Sequence, residues 1–240
     1  MTVPPMSAYY SQNSEMMQDG NYLDVAGKVD SGYCLTMKPT HHIFSRRCWI
    51  FDLDGTLTVP VHDFPAIREA LGMEVTDTDI LRFLAELPPH EAEQRHARLR
   101  EIEYGLADRT SAAPGAVRLL DRLLQRNVRV GILTRNTREI ALYTLGQIGL
   151  EAYFAPEHVL GRNEAVPKPH PEGIEKLLSE WGGMPDETVM VGDYLFDLQV
   201  GRAAGTATIH VDANGAFRWP ELADLAVTTL DELADVLSSD

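Results

Sequence analysis

The sequence predicts an α/β fold, a doubly wound parallel sheet with a small helical cap inserted after the first strand. Three observations predict it. Short apolar runs such as Cys48-Trp49-Ile50-Phe51 stop at polar turn residues, as strands buried on both faces do. Beyond Pro114 such runs alternate with helix-length segments, which calls for right-handed βαβ crossovers. Between the first run and Pro114 the apolar residues recur at helical spacing, over a stretch longer than an ordinary connection.

From Met1 to about Lys38 the chain is rich in Ser, Gln, Asn, Gly and Tyr and has no helical or alternating period. Residues 1–40 are therefore expected to be a disordered extension. The first strand ends in Asp52-Leu53-Asp54-Gly55. Asp63 or Thr76 can cap helices carrying Ile67-Ala70-Leu71 and Ile80-Leu81-Phe83-Leu84-Leu87. A charge-laced helix follows Pro88-Pro89 and runs through Leu99, Ile102 and Leu106. These helices form the expected cap, residues 58–113, while 41–57 and 114–240 form the core. In the core, helix 115–126 precedes strand 128–133, and helix 137–148 leads to a short strand near Val159-Leu160. Helix 172–181 precedes strand 188–191, and a helix near 196–204 leads to strand 207–211. A short strand near Ala226-Val227 and a helix near 230–238 end the sequence.

Composition narrows the function. The chain has 240 residues, 44% of them hydrophobic, and a formal net charge of −15 from 21 Lys+Arg against 36 Asp+Glu. No excess of positive charge is available to neutralise a nucleic-acid backbone or an anionic membrane surface, so neither is an expected partner. No run of about 18 apolar residues marks a membrane span, and no basic-then-apolar leader marks a signal peptide; a cytoplasmic setting is expected. Two cysteines, Cys34 and Cys48, make neither a disulfide framework nor a zinc site. The sequence gives no reading of the oligomeric state.

In open parallel sheets ligands bind beyond the carboxyl ends of the strands. There this chain places Asp52-Leu53-Asp54-Gly55-Thr56, Thr134-Arg135-Asn136 and Gly192-Asp193-Tyr194-Leu195-Phe196-Asp197, with Lys168 in Val166-Pro167-Lys168-Pro169. Each cluster alone has a plainer reading. Asp-Gly is common turn chemistry, and Asp193 or Thr134 could cap the helix that follows. His41-His42, His62, His90 and His96 show no metal-binding spacing and are read as surface or cap residues. Lys168 stands out in composition, as one of four lysines (Lys28, Lys38, Lys168, Lys176) among 21 Lys+Arg. A lysine kept in an arginine-preferring chain points to a site that needs a compact ammonium.

Taken in order, the clusters resemble the haloacid dehalogenase-like hydrolase superfamily, from about Trp49 to the C-terminus. Phe51-Asp52-Leu53-Asp54-Gly55-Thr56-Leu57 is similar to that family's first motif, Thr134 to the second, Lys168 to the third, and Gly192-Asp193 with Asp197 to the fourth. The resemblance implies the family's Rossmann-like core. It also implies Mg²⁺-dependent hydrolysis of a small phosphorylated metabolite, phosphoglycolate-like or a sugar phosphate, through an aspartyl-phosphate. Asp52 is then the nucleophile, because a carboxylate that attacks phosphorus splits one difficult step into two. Asp54 protonates the leaving alcohol and later deprotonates the attacking water. Thr134, Arg135 and Lys168 are the implied phosphate-binding residues, and Lys168 also offsets charge on the nucleophile. Clustered carboxylates facing a phosphate dianion call for a hard cation. Mg²⁺ is assigned to the side chains of Asp52 and Asp193 and the backbone carbonyl of Asp54. Asp197, four residues after Asp193 and on the same face if that segment is helical, would hold a metal-bound water or pair with Lys168.

Within the superfamily, the acid Asp54 argues against a dehalogenase, whose halide leaving group needs no proton. No lysine lies between Lys38 and Lys168, so the cap cannot supply the Schiff-base lysine of the phosphonate-cleaving branch. A phosphatase is the first expectation; a phosphomutase and a non-catalytic phosphate-binding module are the alternatives. The cap resembles that of the phosphoglycolate phosphatase and β-phosphoglucomutase group but is shorter. Its Arg68, Arg82, Arg95, Arg98 and Arg100 are candidates to meet an anionic substrate tail.

Overall fold

The computed structural model describes residues 41–74 and 79–238; the expected extension, 1–40, and Thr76 lie outside the described residues. Six strands, β1 (Cys48–Phe51), β2 (Arg129–Leu133), β3 (Val159–Leu160), β4 (Thr188–Gly192), β5 (Ala207–Val211) and β6 (Leu225–Val227), form one parallel sheet ordered β3-β2-β1-β4-β5-β6. The helices are α1 (His41–Phe44), α2 (Phe64–Ala70), α3 (Ile80–Glu86), α4 (Pro89–Ala107), α5 (Ala116–Gln125), α6 (Arg138–Gln147), α7 (Glu172–Trp181), α8 (Leu195–Ala203) and α9 (Leu230–Leu237). Among the described residues no helix is long and apolar enough to cross a membrane.

The unbroken apolar character of β1 follows from burial on both faces. Trp49 and Phe51 point to one side and pack with Leu119 and Leu123 of α5, Ala141 of α6 and Leu233 of α9. Cys48 and Ile50 point to the other and pack with Ile174 and Leu177 of α7 and Val200 of α8. That alternation is the two-residue period of a strand. The expected strand 128–133 begins one residue late: Val128 N–H donates to Leu123 O at 3.0 Å and so closes α5. Asn127, at φ 57°, makes the left-handed reversal such a closure uses.

Between β1 and α5 the chain forms α2, α3 and α4, which share an apolar cluster of their own built from Ile67, Leu71, Leu84, Leu99 and Leu106. The entering and leaving segments pair, with Thr58 bridged to Ala112 and Ala113 N–H donating to Leu57 O at 2.8 Å. Asp63 caps α2 through Ala66 N–H at 3.1 Å, as expected. The cap of α3 is Asp79, which accepts from Leu81 N–H at 3.1 Å and Arg82 N–H at 3.3 Å. Asp79 is the residue just before the first helical turn, the one whose oxygen reaches its free amides.

Candidate active site

The chain winds outward from β1 to β3 and returns on the other side through β4 to β6, so the strand order reverses between β1 and β4. Phe51 lies level with Ile132 and with Val191, which brings the residues just beyond the three strands onto one rim. Asp52 N–H donates to Val191 O at 2.9 Å, and Thr134 N–H to Leu160 O at 2.9 Å. These bonds carry the sheet pattern one residue past the strands and fix where both side chains begin.

Lys168 reaches this rim from the loop before α7. Its side chain is 2% exposed, and its Nζ donates to Asp52 Oδ1 and to Asp197 Oδ1, each at 2.6 Å. Burial opposes the charge on Lys168, but Asp197 and Asp52 outweigh it and raise its pKa. Burial also raises the pKa of Asp52, with Lys168 pulling it back, and raises that of Asp197 to about 6, again opposed by Lys168. Asp193 is pushed up by burial and then by its neighbours Asp197 and Asp52.

Asp197 sits in the first turn of α8, where its Oδ2 accepts from Tyr194 N–H at 2.9 Å. Asp193 precedes that helix. The two therefore meet as strand end and first helical turn rather than as neighbours on one helical face, which corrects the i, i+4 expectation. Nor does Asp193 cap α8, since Asp197 serves that end.

Asp54 turns away from this cluster. Its Oδ2 accepts from Asn136 Nδ2 at 2.6 Å, and its Oδ1 lies 3.9 Å from His62 Nε2. Burial, reinforced by the negative charge of Glu103, raises the pKa of Asp54 to about 7. Glu103 on α4 is held by Arg162 through two bonds of 2.6 and 2.9 Å, and Arg162 also donates to Arg135 O at 3.0 Å. Thr134 is buried, with Oγ1 accepting from Asn136 N–H at 3.1 Å. The Arg135 guanidinium is engaged by the protein. It donates to Lys168 O at 2.9 Å and to Asp79, and it stacks 4.4 Å from the Phe196 ring centre.

Asp52, Asp193 and Asp197 each offer a carboxylate oxygen, all within 4.8 Å of one another. Three acidic groups against the single ammonium of Lys168 suit a hard divalent cation with oxygen ligands. Gly55 makes room for the cluster. At its φ of +86° a Cβ would stand 2.5 Å from Asp193 Oδ2, so both conformation and space require glycine.

These groups open into a cavity of about 460 Å³ that reaches from Asp52, Thr134 and Lys168 to Phe64, Ile67 and Arg68 on α2, and to Ile80 and Leu81 on α3. Of the five candidate arginines only Arg68 lines it. Arg98 and Arg82 pair on their own helices with Glu101 and Glu86, and Arg95 donates to Leu71 O. Sequence reasoning missed Asn136, although it stands beside Thr134 in the same rim cluster. It also read His62 as a surface or cap residue; the structure corrects this, since His62 lines the cavity, its side chain 14% exposed and stacked on Phe64, and burial lowers its pKa. The Glu103–Arg162 pair spans 59 positions and left no pattern to find.

The haloacid dehalogenase-like hydrolase family model matches residues 47–205. The chain is 29% identical over 196 residues to an uncharacterized hydrolase of Saccharomyces cerevisiae, covering 79% of this chain and 90% of the other. It is 28% identical over 215 residues to a phosphoglycolate phosphatase of Chromobacterium violaceum, covering 79% and 95%. It is 31% identical over 180 residues to the pyrophosphatase PpaX of Listeria innocua, covering 68% and 81%. Among solved structures, a hydrolase from Pseudomonas syringae shares the fold at a TM-score of 0.66 and 24% identity, covering 81% of this chain and 99% of that one. With the sheet order, the site on its rim and the matched span in agreement, the chain is an enzyme of the haloacid dehalogenase-like hydrolase family.

Proposed function

We propose that the chain is a Mg²⁺-dependent phosphomonoester hydrolase acting through an aspartyl-phosphate on Asp52. One observation carries the reading. The buried Lys168 ammonium clamps one oxygen of Asp52, while Asp54, two residues on, is a carboxylic acid with a pKa of about 7. An aligned nucleophile beside a proton donor poised near neutrality is what phosphoryl transfer to a carboxylate requires.

Asp52 attacks phosphorus and the bond to the leaving oxygen breaks, while Asp54 gives its proton to that oxygen. The alcohol departs. Asp54, now a carboxylate, takes a proton from water as the water oxygen attacks phosphorus and the bond to Asp52 breaks. Phosphate leaves and Asp54 is again protonated. Asn136 holds the Asp54 carboxyl in place, and Thr134 with the amides that follow it binds the phosphoryl oxygens. Lys168 keeps Asp52 aligned and offsets charge. Arg135 would contribute to phosphate binding through its backbone amide, while its guanidinium ties α3 to the rim through Asp79.

Both oxygens of Asp197 are engaged, by Lys168 and by Tyr194 N–H, so Asp197 is a supporting residue. Asp52 and Asp193, with the Asp54 carbonyl, would hold Mg²⁺, which supplies positive charge against the carboxylates and the phosphoryl group. Residues 58–113 act as a cap that keeps bulk water from the phosphoenzyme.

Initial-rate phosphate release from 2-phosphoglycolate, glucose 6-phosphate and pyrophosphate, with Mg²⁺ and with chelator, tests the reading. Release that needs Mg²⁺ and falls at least about 10³-fold in a folded Asp52→Asn variant is the expected result. Undiminished release by that variant would refute the proposed nucleophile.

A further inference from the structure

The cavity lining holds four Lys and Arg side chains, and three are committed to acids. Lys168 lies between Asp52 and Asp197, Arg135 is bound to Asp79, and Arg162 to Glu103. Arg68 is different. It lines the same cavity from α2 and is partly buried, yet among the described residues it has neither an ion-pair partner nor a side-chain hydrogen bond. The lining contributed by α2 and the start of α3 is otherwise apolar at Phe64, Ile67, Ile80 and Leu81, and the one acid there, Asp79, is bound to Arg135. An arginine is permanently charged. Partly burying one costs desolvation, and no carboxylate among the described residues pairs with Arg68 to offset it.

The volume gives the same direction. At roughly 30 Å³ per water-sized share of liquid volume, a phosphoryl group and its oxygens fill only a minor part of the 460 Å³. The lining continues past the rim to α2 and α3, which leaves room there for a leaving group. Beside the Asp79–Arg135 pair, that end presents hydrocarbon and the uncommitted Arg68 guanidinium, a donor fork matched to a carboxylate or a second phosphate.

We infer that Arg68 is a specificity-determining residue that binds an anionic group on the leaving-group side of the substrate, so that the preferred phosphomonoesters carry a second negative charge. The inference rests on the phosphatase reading and names its substrate class. The exposed helical arginines Arg82 and Arg98 have no such role, being paired on their own helices outside the cavity.

Matched esters test it: 2-phosphoglycolate against ethyl phosphate, which lacks the carboxylate, and phosphoethanolamine, which reverses the charge. The readout is the ratio of kcat/KM values within each enzyme, for wild type, Arg68→Met and Arg68→Glu. Wild type is expected to prefer phosphoglycolate to ethyl phosphate. Arg68→Met should lower that ratio about 10- to 100-fold, mainly through the KM of phosphoglycolate, as loss of a charge-assisted bidentate contact implies. Arg68→Glu should shift preference toward phosphoethanolamine. Circular dichroism confirms that each variant is folded, and Arg68→Lys, which keeps the charge, should keep most of the preference if Arg68→Met does not fold. An unchanged ratio in folded Arg68→Met or Arg68→Glu, with wild type active on both esters, overturns the role of Arg68 and leaves the phosphatase reading standing. No phosphate from any ester with wild type and Mg²⁺ overturns both.

Discussion

Asp54 is the residue on which the proposed chemistry turns. Its ordinary pKa of 3.8 is raised to about 7 by burial and by Glu103, against the opposing pull of Lys168 and the Asn136 hydrogen bond. In the first step of the proposed mechanism it must be protonated. The value of kcat/KM reports that step, so it should be level at low pH in the range where Asp52 is ionised, and fall as pH rises through about 7. A profile of kcat/KM with pH checks this; a rate that keeps rising past pH 8 would contradict the assigned role. The motif residues were legible because their chemistry is written in short stretches: Asp52 and Asp54 lie two positions apart, and Gly192-Asp193 stands four before Asp197. Their environments were not. That Asp54 faces Asn136 and His62 while Asp197 faces Lys168 depends on backbone directions that spacing does not encode.

At the scale of elements, the strands and the helices flanking the sheet were readable because burial on two faces leaves unbroken apolar runs, and amphipathic helices leave a 3.6-residue period. What joins α2–α4 to the sheet layer was not readable. The Asp79–Arg135 and Glu103–Arg162 pairs span 56 and 59 positions, and a charged residue on a charge-laced helix looks the same whether solvated or paired. α4 nevertheless reaches Asp54, since the charge of Glu103 helps raise the pKa of that carboxyl. Glu103→Gln removes that charge and leaves Arg162 positive beside the site. Both changes favour ionised Asp54, so the alkaline fall of kcat/KM should move to lower pH. A pH profile of this folded variant that superimposes on wild type would show that α4 does not tune the acid.

For the molecule as a whole, the reversal of strand order assembles a site from distant parts of the chain. Thr56 Oγ1 donates to Asp193 Oδ1 at 3.3 Å across 137 positions, and Lys168 crosses 116 positions to reach Asp52. The net charge of −15 repels an anionic ester at long range, so in the proposed reading recognition falls to local cations, Lys168 at the phosphoryl end and Arg68 at the other. The doubly wound plan was legible because the order of apolar runs fixes the crossovers; the cavity between the rim and α2–α4 was not, since it is defined by packing between segments far apart in sequence. The central claim is that phosphate passes through a covalent bond to Asp52. The most direct measurement is a rapid acid quench of the enzyme turning over a ³²P-labelled ester with Mg²⁺, followed by proteolysis and location of the label. A hydroxylamine-labile phosphoryl group on the peptide containing Asp52, absent from Asp52→Asn, is the predicted result; label held by any other residue would contradict the account.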